Sequence, residues 1–148
     1  MIFVAIGGGS GACGLITVRN ALGSKAKIVG VGAANADAVC RSWRGPERVV
    51  GTSAATFAEG VATRVTFDLT FDLLKKYLDD FVLLSEEELA EGVRMALRTT
   101  HNLAEGAGAA SLIAARKHTA ACEGPVVAIM SGGNIDTRTL NRLTGAGS

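Results

Sequence analysis

"AIGGGSGACGL", residues 5–15, puts five glycines into eleven residues, directly overlapping a short apolar run, "IFVAI" at 2–6. A continuous apolar run of this length fits a strand covered on both faces. A helix is expected from Ser10 or Gly11, with Leu15, Ile16, Val18, Ala21 and Leu22 apolar and Gly23 as its stop. Between strand and helix, glycine permits positive φ and close approach. Successive N–H groups at a helix start then make an anion site, and phosphate is its commonest occupant. The plainer alternative is that these glycines only allow tight strand–helix packing.

The rest of the chain repeats the alternation. "KIVGVGA" (27–33) reads as a second strand, "ADAVCRSWR" (36–44) as a short helix stopped by Gly45-Pro46, and "FDLLKKYLD" (71–79) as a helix. Residues 47–68 show no clear period. "FVLL" (81–84) is a third strand. Ser85 with Glu88 three positions on is a capping box, and Leu89, Val93, Ala96 and Leu97 give the helix behind it one apolar face. "GAGAASLIAARKH" (106–118) is a small-residue helix, "PVVAIM" (125–130) a fourth strand, and "SGGNID" the turn after it. Asp136 can cap a last helix through Leu143. Such an order implies an α/β fold: three αβα layers around a mostly parallel sheet of about four strands, with residues 1–148 as one domain. Ligands in these sheets bind beyond the carboxyl ends of the strands, where both glycine-rich turns belong.

Composition narrows the function classes. Hydrophobic content of 48% and charged content of 20% over 148 residues describe a globular chain. A net charge of +1 with scattered acids and bases gives no electrostatic case for nucleic acid or an anionic membrane. Cys13, Cys40 and Cys122 are odd in number and widely spaced, without a CxxC, which points to free thiols in a reducing, cytoplasmic setting. No apolar run reaches the roughly 18 residues of a membrane span. "MIFVAIGGG" lacks the basic start of a signal peptide. A buried strand so close to Met1 leads to the expectation that a preceding segment has been split off or truncated.

Two phosphate readings compete. Gly9-Ser10-Gly11-Ala12-Cys13-Gly14 fits the dinucleotide pattern G-x-G-x-x-G in a strand–turn–helix context. That fingerprint needs an acid at the end of the second strand, and here the strand ends in Gly32-Ala33-Ala34, with Asp37 too late. No Gly-Lys-Ser/Thr follows, so the loop is not a P-loop.

The second reading takes the turns together. "VAIGGGSGACG", "FAEG", "LAEGAGAA" and "VAIMSGGNID", in that order, resemble the fold type II pyridoxal-phosphate enzymes, and within them the threonine/serine dehydratase and serine racemase family. The resemblance runs over nearly the whole chain but matches only the C-terminal half of such an enzyme, part of its large domain. It implies that Gly7, Gly8, Gly9, Ser10 and Gly11 bind the cofactor phosphate and that Ser131 hydrogen-bonds the pyridine nitrogen. A neutral hydroxyl there favours β-elimination over more carbanionic routes. Ser131 also reads as an ordinary turn residue. Glu105 matches a family glutamate close to the cofactor, or else is simply a first-turn acid. Glu59 falls where some members place an acidic metal ligand, but Ala54 and Ala55 stand where a second carboxylate is expected, so no divalent metal is expected. His101 and His118 are expected to be solvated, Cys40 and Trp43 to be core, and Asn134 to order its own turn.

The family's chemistry needs a lysine that forms a Schiff base with the cofactor. Lys25, Lys27, Lys75, Lys76 and Lys117 all lack the Ser-Phe-Lys-like context, and the upstream loop for the substrate carboxylate is absent as well. The chain is therefore expected to hold no catalytic lysine of its own. It would act on L-threonine or L-serine only with an N-terminal complement. The alternative class is a non-catalytic Rossmann-type nucleotide- or phosphate-binding module. A third expectation is structural: apolar surface left uncovered by the absent half drives self-association into a homo-oligomer.

Overall fold

The computed structural model describes residues 1–145. Strands β1 (Ile2–Ala5), β2 (Ile28–Ala33), β3 (Asp80–Leu84) and β4 (Val127–Ala128) form a sheet in the order β3-β2-β1-β4, every pair parallel. Helices α1 (Ser10–Ala21), α2 (Ala38–Arg44), α3 (Asp68–Tyr77), α4 (Glu86–Thr100), α5 (Gly106–His118) and α6 (Thr137–Thr144) connect and cover it. The three-layer αβα arrangement expected from the alternation is the one observed.

The period of the strands explains the layering, because successive side chains point to opposite faces. Phe3, Val29, Val31 and Leu84 pack on Ala107, Ala110, Ile113 and Ala114 of α5. One position along, Val4, Ile28 and Phe81 pack on Ala12 and Ile16 of α1, Val39 and Cys40 of α2, and Leu74 of α3. Behind α5, Ala90, Val93 and Ala96 of α4 and Leu143 of α6 close a third cluster against Ala109. The small residues of α5 let α4 approach closely: a Cβ at Gly92 would stand 3.0 Å from the Ala109 carbonyl oxygen.

Several boundaries differ from the sequence reading, each for a visible reason. The strand expected over 125–130 pairs only at Val127 and Ala128. The Ile129 N–H still reaches the Phe3 carbonyl at 3.0 Å, and the chain then leaves for the glycine turn. The helix expected over 36–44 begins at Ala38, because Ala34–Ala36 form a 3-10 turn. The helix expected over 71–79 is shifted to Asp68–Tyr77. Residues 47–68 close on themselves through the Gly51 N–H and Arg64 carbonyl, 2.7 Å apart, and send Ala58 and Val61 into the α5-side core. His118 is not simply solvated: it is half-buried and stacks on Phe3 with ring centroids 6.0 Å apart. Among the described residues no helix is long and apolar enough to cross a membrane.

Candidate functional site

Parallel neighbours β1 and β4 deliver their following turns to the same edge of the sheet. After β1, Ile6 continues the ladder by donating to the Val31 carbonyl at 2.8 Å, and Gly7–Gly9 turn the chain into α1. Gly9 is the N-cap, with φ 88° and ψ −1°, a left-handed conformation that glycine adopts without strain. The Cys13 N–H closes the first helical bond, on the Gly9 carbonyl at 2.9 Å. The N–H groups of Ser10, Gly11 and Ala12 precede it, and helix geometry leaves them without intrahelical acceptors. They open beside a cavity of about 540 Å³ lined by Gly7–Gly11, Gly60 and Ser131, with Leu15, Val18 and Ile129 as its apolar wall.

Of the residues singled out in the sequence, Gly7, Gly8, Gly9, Ser10, Gly11 and Ser131 line this one cavity. Glu105 is set just behind it. Its backbone N–H donates to the Gly132 carbonyl at 3.1 Å, and its carboxylate lies so close to Gly132 that a side chain there would overlap it. A Cβ at Gly60, which lines the cavity, would stand 3.7 Å from Glu105 Oε1. On its other side Glu105 joins Glu59, Asn134 and Asp136 around a smaller cavity of about 260 Å³. Glu59 is exposed, and among the described residues no three His, Cys, Asp or Glu side chains converge as a metal site would require.

Two contributors carry little or no signal in the sequence. Gly60 lies against Gly7, where any side chain at Gly7 would meet the Gly60 carbonyl oxygen. Its one local mark is its place beside Glu59 in "FAEG". Thr70, at the start of α3, donates its hydroxyl to the Gly8 carbonyl at 2.6 Å.

The lysines lie elsewhere. Lys25 and Lys27 precede β2, at the opposite end of the sheet, and line a different cavity. The Lys75 ammonium donates to the carbonyls of Trp43 and Gly45, both at 2.6 Å. Lys76 sits over the Tyr77 ring, 5.0 Å from its centroid, and Lys117 pairs with Glu88.

The family model for pyridoxal-phosphate dependent enzymes matches residues 1–132. The chain belongs to that family. It is 34% identical to L-threonine ammonia-lyase of Thermotoga maritima over 99% of its own length, and it spans 37% of that relative. The processed form of threonine deaminase isoform 2 from Solanum lycopersicum superposes with a TM-score of 0.89 at 27% identity, over 99% of this chain and 41% of that one. Maize serine racemase shares the fold at a TM-score of 0.85 and 23% identity, over 98% of this chain and 46% of that one. The dinucleotide alternative has no such support, and the structure supplies a physical reason. β2 ends at Ala33, and Asp37, the acid that reading needs, is beyond it and paired with Arg41 at 3.0 Å.

Proposed function

We propose that residues 7–11 are the phosphate cup for pyridoxal phosphate, in a portion of an amino-acid ammonia-lyase that lacks the lysine to hold the cofactor covalently. The observation that carries this reading is the meeting of the glycine loop and Ser131, from the ends of two adjacent parallel strands, at one cavity. The free N–H groups of Ser10, Gly11 and Ala12, with the positive end of the α1 dipole behind them, suit a dianionic phosphate. A cradle in which a Cβ at Gly7 would overlap backbone fits a group that needs close main-chain approach.

When bound, the cofactor supplies an electron-withdrawing ring that weakens the bonds at the substrate Cα. This chain's residues hold and tune it. The loop amides neutralise the phosphate. The Ser131 hydroxyl hydrogen-bonds the pyridine nitrogen without charging it, which keeps electron withdrawal moderate and favours loss of a β-hydroxyl. Glu105, whose backbone N–H holds the Gly132 carbonyl, anchors the turn that carries Ser131 and borders the cofactor.

The reaction of the whole is dehydration of L-threonine or L-serine to a 2-oxo acid and ammonia, and the name of the Thermotoga relative, L-threonine ammonia-lyase, supports the first of these substrates. Covalent attachment of the cofactor and proton transfer at Cα fall to a further segment carrying a lysine. The 37% span of that relative and the engagement of Lys75 and Lys117 elsewhere support this division. The amino-acid substrate is then a ligand only of the complemented protein. Exposed Leu22, Leu69 and Val18 support association with that complement or, without it, with other copies as a homo-oligomer. A net charge of +1 offers no drive toward nucleic acid or membrane, and the three free thiols suit a cytoplasmic setting. Incubating the purified chain with pyridoxal phosphate and L-threonine, and assaying 2-oxobutyrate, tests the division of labour. No turnover is expected, and robust turnover by this chain alone would overturn it.

A further inference from the structure

We propose that Thr70 is a positioning residue for the phosphate cup: its hydroxyl fixes the Gly8–Gly9 peptide plane so that the Gly9 N–H faces the anion. This rests on the cup reading given above. The Thr70 hydroxyl lies 2.6 Å from the Gly8 carbonyl oxygen and 3.2 Å from its own helix's Phe67 carbonyl. It has one proton to give, and the shorter contact takes it. No cis peptide occurs among the described residues, so the Gly8 carbonyl and the Gly9 N–H point in opposite directions across one rigid plane. Drawing the carbonyl toward α3 therefore turns the Gly9 N–H away from α3.

The plane needs such a hold. Three successive glycines carry no side chains to restrict their dihedrals, and free rotation of any of them would scatter the donors of the cup. Gly9 is further confined by α3, since a Cβ there would stand 2.9 Å from Leu74 Cδ1 and 3.1 Å from Thr70 Cβ. Thr70 is itself gripped from the other side. The Cys13 thiol of α1 donates to the Thr70 carbonyl at 3.3 Å, and burial pushes that thiol up, which keeps it a protonated donor at neutral pH. The strap thus ties loop, α1 and α3 together at the point where the anion's donors are set.

The test uses the full chain with Thr70→Val, which keeps the shape and removes the hydroxyl, and Thr70→Ser, which keeps the hydroxyl. Each is titrated with pyridoxine 5′-phosphate, which has the phosphate but no aldehyde to react with surface lysines. The Gly9 and Ser10 amides are followed in ¹⁵N–¹H correlation spectra. Thr70→Val is expected to shift the Gly9 amide before any ligand is added and to weaken binding by roughly three- to ten-fold, the size of one net hydrogen bond. Thr70→Ser is expected to match the wild type in both. A Thr70→Val chain with an unmoved Gly9 amide and unchanged affinity overturns the proposal, as does a Thr70→Ser chain that loses as much as Thr70→Val. If the wild type itself binds nothing, the cup reading falls and takes the role of Thr70 with it. A loss seen only when the hydroxyl is removed upholds both.

Discussion

Gly7 has no room for a side chain, and the obstacle is the backbone oxygen of Gly60, which cannot rotate aside as a side-chain tip would. Gly7→Ala is expected to destabilise the protein by about 1–3 kcal/mol, the usual cost of forcing atoms into a filled site. A lower urea midpoint at unchanged slope would register it, and an unchanged midpoint would contradict the contact. Gly14 provides the opposite case within the same loop-and-helix unit. It lies inside α1, and a methyl group added there would meet nothing within 4 Å, so Gly14→Ala should stabilise by roughly 0.5–1 kcal/mol. The glycine run was legible as a tight turn between a strand and a helix, because local chain chemistry marks it. Its supports were not. Thr70 is 62 positions from Gly8, and nothing in "DLTFD" distinguishes a threonine aimed at a carbonyl from one facing solvent.

Among the elements, α4 shows how local signals survive into the fold. Ser85 accepts from the Glu88 N–H at 3.3 Å, and Glu88 accepts from the Ser85 N–H at 2.8 Å, which completes the box written in "SEEE". Ser85→Ala should cost about 1 kcal/mol, measurable by thermal or urea unfolding. Lys117 of α5, by its hydrogen bond, and then the Ser85 N–H hold the Glu88 carboxyl below the ordinary carboxylate range. A carboxyl lowered in the folded state binds its proton more readily when unfolded. Its contribution is therefore fully present above the unfolded value, near pH 4.3, and is lost as pH falls through the lower folded value. Glu88→Gln should flatten that part of the acid limb, and an identical stability–pH curve would contradict the assignment. Strand β4 marks where local reading stops. "PVVAIM" has strand chemistry throughout, but its pairing stops at Ala128 opposite Phe3, two residues before β1 ends at Ala5, as the chain departs toward Ser131. Residues 47–68 were illegible for a related reason. Their order comes from the distant Gly51–Arg64 closure and from burying Ala58 and Val61, none of which leaves a period in the sequence.

Across the whole molecule, the two-sided core follows from alternation within strands only a few residues long. Phe3 and Val4, adjacent in sequence, belong to different clusters on opposite faces. What alternation cannot show is which outer surfaces stay uncovered. Val18 and Leu22 of α1 are 58% and 76% exposed, and Leu69 of α3 is 84% exposed. Sedimentation analysis should find concentration-dependent association, weakened by Val18→Glu together with Leu22→Glu. A chain that stays monomeric at high concentration would contradict self-association. The proposed phosphate cup is separated from the lysine that the reaction needs. The most direct measurement is to load the chain with pyridoxal phosphate, reduce with borohydride, and map the adducts by intact mass and peptide analysis. Substoichiometric labelling scattered over surface lysines is expected. A single stoichiometric adduct on one lysine would contradict that separation, because the chain would then hold its cofactor covalently without any complement.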